Sequence, residues 1–328
     1  MGSRIITIIG SLNMDLVTVA PYVPAGGETM TATSFSTGAG GKGANQAVAC
    51  ARLSRSKPSS STSPPTSDIT VKMVGAVGQD EFGPRLISGM RDDGIDVSGV
   101  KEISGMTTGV AIIIVEEGTG ENRIMLSPGA NHTLHPQDFS SPSSLGTPLP
   151  SLIILQLEIP LPTVLQILST AKAANVAVLL NPAPAVKLPD DVFPSITHLI
   201  VNESEAAILS GRSVAEVEAD GFDFQPITDS FIAKGVENVI VTLGSKGAFW
   251  ASGNGSRGHV PSARVSKVVD TTAAGDTFVG AYAVEVVRES AARREMESVV
   301  SRACKAAART VENQGAQSAI PWMDEVDV

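Results

Sequence analysis

Short runs of Ile, Val and Leu recur along this chain with helix-length stretches between them, and this alternation limits the fold more than any other feature. Apolar runs at 4–10, 71–77, 152–157, 176–181, 197–202 and 238–243 have strand length and little polar interruption, as strands buried on both faces do. Helical stretches are expected near 43–53, 80–93, 161–174, 203–210, 229–236, 275–289 and 295–312. Strands alternating with helices predict a doubly wound, mostly parallel α/β sheet flanked by helices. With 328 residues, 42% of them hydrophobic, the chain can build one such core and a small appendage.

Two regions break the rhythm. Residues 14–38 and 103–127 hold strand-like pieces and turns with no helix between them, so they are expected to pair into a small β-sheet outside the main one and act as a lid. The core is then assembled from 1–13, 39–102 and 128–328. Residues 54–68 are rich in Ser and Pro and lack the apolar side chains that ordering requires, which predicts an exposed inserted loop.

A net charge of −10 argues against nucleic acid or an anionic membrane as partner. Cys50 and Cys304 lack the spacing of a metal site and read as core thiols, and the apolar run Ile5 to Ile9 is too short for a signal or a span. A cytoplasmic protein is expected, with the nucleus also open. Acceptor patterns for N-glycosylation at Asn131, Asn202 and Asn254 read as accidental.

Two glycine-rich segments carry the chemistry. In VVDTTAAGDTFVGAYA, residues 268–283, small residues open an apolar helix pattern, so the amides of Ala273, Ala274, Gly275 and Asp276 can approach an anion. A carboxylate at Asp276 suits removal of a proton from a hydroxyl that attacks that anion; it equally suits an acid that merely favours the helix dipole. In STGAGGKGANQAVACARL, residues 36–53, Gly38, Gly40 and Gly43 match G-x-G-x-x-G, but no buried parallel strand precedes them and no Ser or Thr follows Lys42. Close approach of backbone to a polyhydroxyl ligand, with Lys42 and Asn45 as donors, is the better reading. Asn13 and Asp15 follow the first strand on one face, and Glu158 ends another strand where open α/β sheets place ligands. Asn202 with Glu205, and Thr242 to Gly247, read singly as a helix cap and a hairpin turn.

Taken together these segments resemble the ribokinase branch of the PfkB-type carbohydrate kinases. The resemblance rests on GSLNMD at 10–15, PAGGET at 24–29, GGKGANQA at 40–47, GVAIIIV at 109–115, QLE at 156–158, NPAPA at 181–185, NESEA at 202–206, TLGSKG at 242–247, DTTAAGDTF at 270–278 and GAQ at 315–317. It implies ATP-dependent phosphorylation of D-ribose at O5, with Asp276 as base and Asn13, Asp15, Gly41, Lys42, Asn45 and Glu158 holding the sugar. It places the nucleotide at Asn202, Thr242, Gly244, Ser245, Gly247 and Gly275, and gives Glu205 a part in Mg²⁺ and phosphate binding. It further implies an activating K⁺ near Asp270, Thr272, Thr310, Asn313, Gly315 and Ala319, where Ala319 departs from the pattern by lacking a side-chain oxygen. Cys304 stands where a histidine beside adenine is common. A homodimer through the lid is implied as well, and the 54–68 insertion points to a eukaryotic source. A kinase for another small sugar or a nucleoside, or a silent sugar sensor, are the competing readings.

Overall fold

The structure is a computed structural model that describes residues 4–58, 67–289 and 295–327. Thirteen strands and eight α-helices are found among them. In chain order they are β1 (Arg4–Ile9), β2 (Asn13–Ala20), β3 (Ser34–Gly40), α1 (Lys42–Leu53), β4 (Ile69–Gly78), α2 (Phe82–Asp92), β5 (Asp96–Ile103), β6 (Gly109–Glu116), β7 (Asn122–Ser127), β8 (Leu152–Leu155), α3 (Leu161–Ala173), β9 (Ala177–Leu180), β10 (His198–Asn202), α4 (Glu203–Ser210), α5 (Val214–Val217), α6 (Gln225–Ala233), β11 (Asn238–Thr242), β12 (Ala248–Ser252), β13 (Arg257–Val260), α7 (Ala274–Arg288) and α8 (Met296–Thr310).

Nine strands form the main sheet in the order β13-β12-β11-β10-β9-β8-β1-β4-β5. All pairs from β11 to β5 are parallel, and β12 and β13 add an antiparallel edge. Alternate residues of one strand serve opposite layers. Leu152 and Ile154 of β8 pack with α1, α7 and α8, while Ile153 and Leu155 pack with α3, α4 and α6. Burial on both faces explains why β8 is an unbroken apolar run. The strand order reverses at β1, which has β4 on one side and β8 on the other, so a crevice opens beyond the carboxyl ends of β1 and β8.

The second sheet, β3-β2-β6-β7, is the expected lid. Its strands start at Asn13 and Gly109, so the boundaries move slightly from 14 and 103: residues 96–103 form β5 of the main sheet instead. That strand escaped the sequence reading because it is a partly exposed edge strand whose residues, DVSGVKEI, contain no apolar run. The edge strand β13 escaped for the same reason, and β12 because it has only five residues directly after a turn. Helix α6 lies earlier than the expected 229–236: Pro226 stands in its first turn and Gly235, at φ 102°, follows its end.

Most of the 54–68 insertion, residues 59–66, lies outside the described residues. Its two ends meet, since Ser67 Oγ donates to Ser54 Oγ at 2.9 Å. Cys50 and Cys304 are free and buried. Asn131 is buried and bonded to the backbone of Leu12, which leaves no room for a glycan there. No helix among the described residues is long and apolar enough to cross a membrane.

Candidate active site

The crevice at the strand reversal collects the residues that three distant segments supply. Three residues after β1 the chain enters the lid at Asn13, and β8 leads directly into Gln156, Leu157 and Glu158. Oxygen Oε2 of Glu158 accepts from Ser11 Oγ (2.6 Å), from the amide of Lys42 (3.1 Å) and, at 3.4 Å, from Asn13 Nδ2. Asn13 Oδ1 in turn accepts from Asn131 Nδ2 at 2.8 Å. One carboxylate thus ties β1, the lid and α1 together and keeps its other oxygen available.

The glycines of this region are there for close approach. Gly41 has φ 86°, and a Cβ on it would lie 2.7 Å from the amide nitrogen of Asn13. A Cβ on Gly40 would lie 2.2 Å from the Asp15 carboxylate.

Asp276 lies in the first turn of α7, where Ala273 takes a left-handed φ of 60° to turn the chain into the helix. Its side chain is buried and clamped: Asn45 Nδ2 donates to Oδ2 and Gln46 Nε2 to Oδ1, both at 2.9 Å. The amides of Gly275 and Asp276 fall in the turn whose N–H groups no helix carbonyl can reach. Of the four amides expected to meet an anion, that of Ala274 donates to Thr271 O at 3.3 Å. Gly275 is exposed, and a Cβ there would meet nothing within 4 Å, which leaves open space above the turn.

The charges are coupled. Burial first, then Glu158 and Asp276, push the Asp15 carboxyl up to about 7. Burial disfavours the Lys42 ammonium, but Asp276, Glu158 and Glu205 together outweigh it and raise its pKa. Burial likewise raises Glu205, against the pull of the Asn202 amide and of Lys42. Lys42 is therefore held as a cation by three carboxylates.

Asn202 and Glu205 form a reciprocal cap on α4: the Glu205 amide donates to Asn202 Oδ1 (2.8 Å) and the Asn202 amide to Glu205 Oε2 (2.9 Å). The capping interpretation of Asn202 is thus correct, and the same bonds aim Glu205 toward Lys42 and Asp276. Thr242 pairs with Asn202 across β11 and β10, and Gly244, Ser245 and Gly247 form the turn between β11 and β12. Gly247 has φ 96°, and Ser262 Oγ donates to Ser245 O at 2.6 Å. Cys304 on α8 lines a cavity of about 530 Å³ with Ser262, Ser298, Ser301 and Lys305. Burial lifts its thiol to about 11, so it stays neutral there.

Of the residues expected around a monovalent cation, Asp270, Thr272 and Gly315 meet. Asp270 Oδ1 accepts from the Thr272 amide and hydroxyl, and Oδ2 from the Gly315 amide at 2.9 Å. Asn313 donates to Arg309 O, and Ala319 is buried. Thr310 turns its hydroxyl away, to Thr277 Oγ1 at 2.8 Å, so only its backbone remains for such an ion.

Residues 4–323 match the pfkB family carbohydrate kinase profile. The chain is a member of that family. Among relatives of this kinase is a ribokinase of Schizosaccharomyces pombe, 43% identical over 325 residues, with 98% of this chain and 96% of that one covered. Its fold is that of the ribokinase of Thermotoga maritima, at TM-score 0.81 and 34% identity over 99% of this chain and 98% of the other. It is also that of Arabidopsis thaliana ribokinase complexed with ribose and ATP, at TM-score 0.83 and 28% identity, again covering 99% and 98%. The kinase adds to the expected site several buried amides and a hydroxyl that sequence reasoning did not single out: Ser11, Gln46, Asn131, Gln156 and Asn181. Ser11, Gln46, Gln156 and Asn181 stand inside the quoted motif segments, and that membership was their only signal.

Proposed function

We propose that the protein transfers the γ-phosphoryl group of Mg-ATP to O5 of D-ribose, giving D-ribose 5-phosphate and ADP. The observation that carries this reading is the buried Asp276 carboxylate, held by Asn45 and Gln46 at the N-terminus of α7 beside the open Gly275 turn. Asp276 takes the proton of the 5-hydroxyl as that oxygen bonds to phosphorus and the bond to the β-phosphate oxygen breaks. The amides of Gly275 and Asp276 and the Lys42 ammonium receive charge on the transferring group. Magnesium brought with ATP supplies further charge neutralisation, with Glu205 near it.

Asn13, Asp15, Lys42, Asn45 and Glu158 give the sugar its hydrogen-bond partners. Asn45 Oδ1 is buried without a partner, an acceptor suited to a sugar hydroxyl. The relatives named ribokinase, one of them holding ribose and ATP, support ribose over another sugar or a nucleoside. The loops at 270–272 and 310–319 would hold K⁺ through oxygen donors alone, a set that suits a monovalent cation and to which Ala319 adds no side-chain oxygen. We place the enzyme in the cytoplasm, as a homodimer joined through the lids.

ADP release from Mg-ATP tests this reading, measured with a panel of sugars and nucleosides in K⁺ or Na⁺. Turnover confined largely to D-ribose and raised by K⁺ is expected. Activity indifferent to K⁺ would remove the cation site, and silence on ribose would remove the substrate. Asp276→Asn should lower kcat by roughly 10²–10⁴.

A further inference from the structure

Behind Asp276 runs a chain of buried amides. Gln46 and Gln156 are fully buried and Asn181 nearly so. Gln46 Nε2 has two N–H groups; one goes to Asp276 Oδ1 at 2.9 Å and the other to Asn181 Oδ1 at 3.1 Å. Its oxygen Oε1 accepts from Gln156 Nε2 at 2.6 Å. Asn181 is fixed in turn, since its Nδ2 donates to Ile200 O at 3.0 Å.

We infer that Gln156 is a positioning residue that acts on Asp276 through Gln46. A primary amide can be turned end for end, and the two orientations of Gln46 have opposite consequences. In the one observed, an N–H meets the carboxylate; in the other, a carbonyl oxygen would face it and repel it. In the orientation observed, Gln156 favours the first, because its N–H group meets an oxygen opposite. Asn181 selects it too, since its own N–H group is committed to Ile200 and it can offer Gln46 only an oxygen.

Gln156 reaches Gln46 at the expense of its own Oε1, which is buried and has no partner. A side chain present for packing alone would not carry that penalty, and a Leu or Met would fill the space without it. Gly10 answers the same arrangement, as a Cβ there would lie 2.0 Å from Gln156 Oε1. The result is a carboxylate held on both oxygens, by Asn45 on Oδ2 and by Gln46 on Oδ1. Each oxygen keeps a second lone pair for the hydroxyl that reacts. Fixing the plane of the base in this way keeps it aligned before substrate arrives.

This inference rests on Asp276 as the base, and the test separates the two. Gln46→Met, Gln156→Met and the double variant are assayed beside Asp276→Asn, with kcat, KM for ribose and for ATP, and melting temperature recorded for each. Met keeps the volume and removes the donors. Gln156→Met should lower kcat about 10-fold and Gln46→Met about 10- to 100-fold, on the magnitude of a hydrogen bond to a charged group, with both KM values within twofold. The double variant should be no slower than Gln46→Met, because Gln156 acts only through Gln46. A lower melting temperature with unchanged kcat in Gln156→Met would overturn the inference, as would losses that multiply in the double variant. Should Gln46→Met fail to fold, the kcat and KM of Gln156→Met decide alone. An Asp276→Asn enzyme with near-normal turnover would remove the base itself, whatever the glutamine variants do.

Discussion

Asp15, proposed to bind the sugar, costs the folded protein stability. Its carboxyl is raised from 3.8 to about 7 by burial and by Glu158 and Asp276. Below about pH 4 it is protonated whether the chain is folded or not, and it contributes nothing. Between about 4 and 7 the fold keeps a proton that the unfolded chain has lost, so stability declines as pH rises; above 7 the cost is complete, a few kcal/mol at most. Asp15→Asn should therefore raise the melting temperature of the ligand-free enzyme at pH 8, flatten its dependence between pH 4 and 7, and weaken ribose use. Equal slopes in variant and parent would show that the strain lies elsewhere. Residues of this kind were readable from sequence where a charged or amide side chain stood in a glycine-rich segment that opens a helix, as Lys42, Asn45 and Asp276 do, or just after the first strand, as Asp15 does. Gln46 and Gln156 were not, because a glutamine's role depends on which way its amide faces, and only packing reveals that.

Helices α1 and α7 act as one element, since the first carries Lys42, Asn45 and Gln46 and the second carries Asp276. They cross at Gly280, where a Cβ would stand 2.4 Å from Ala49 Cβ and 2.9 Å from the Cys50 amide nitrogen. Gly280→Val would gain a few tenths of a kcal/mol in helix propensity, but overpacking costs about 1–3 kcal/mol, so the clash wins. The urea midpoint should fall by an amount worth about 2 kcal/mol, and kcat should fall with it as the two halves of the site separate. An unchanged midpoint with full turnover would mean that the crossing yields without moving either helix. At this scale the sequence was most legible where strands are buried on both faces, as in β1 and β8. It was least legible at the sheet edges, where β5 and β13 alternate small, polar and charged residues whose partners are invisible in one dimension.

At the scale of the molecule, register puts Asn13, Asp15, Val17 and Val19 of β2 on one face of the lid with Ala111 and Ile113 of β6 and Ile124 and Leu126 of β7. Ile124 and Leu126 are about half exposed, at 53% and 48%, an apolar continuation of the face that carries Asn13 and Asp15. If two lids associate there, Ile124→Asp should halve the mass seen by sedimentation equilibrium and raise the KM for ribose; a parent that sediments as a single chain would dismiss the homodimer. Asn13 and Asp15, proposed to hold the sugar, also stand where the lid strand leaves β1. A sugar held there would sit at the fulcrum of a lever about 25 Å long, and a turn of about 10° at residues 10–13 would carry the far end of β2 through about 4 Å. Holding the substrate and swinging the cover would then be a single mechanical event, so a substitution far out on the arm is expected to change the rate of opening and the KM for ribose together.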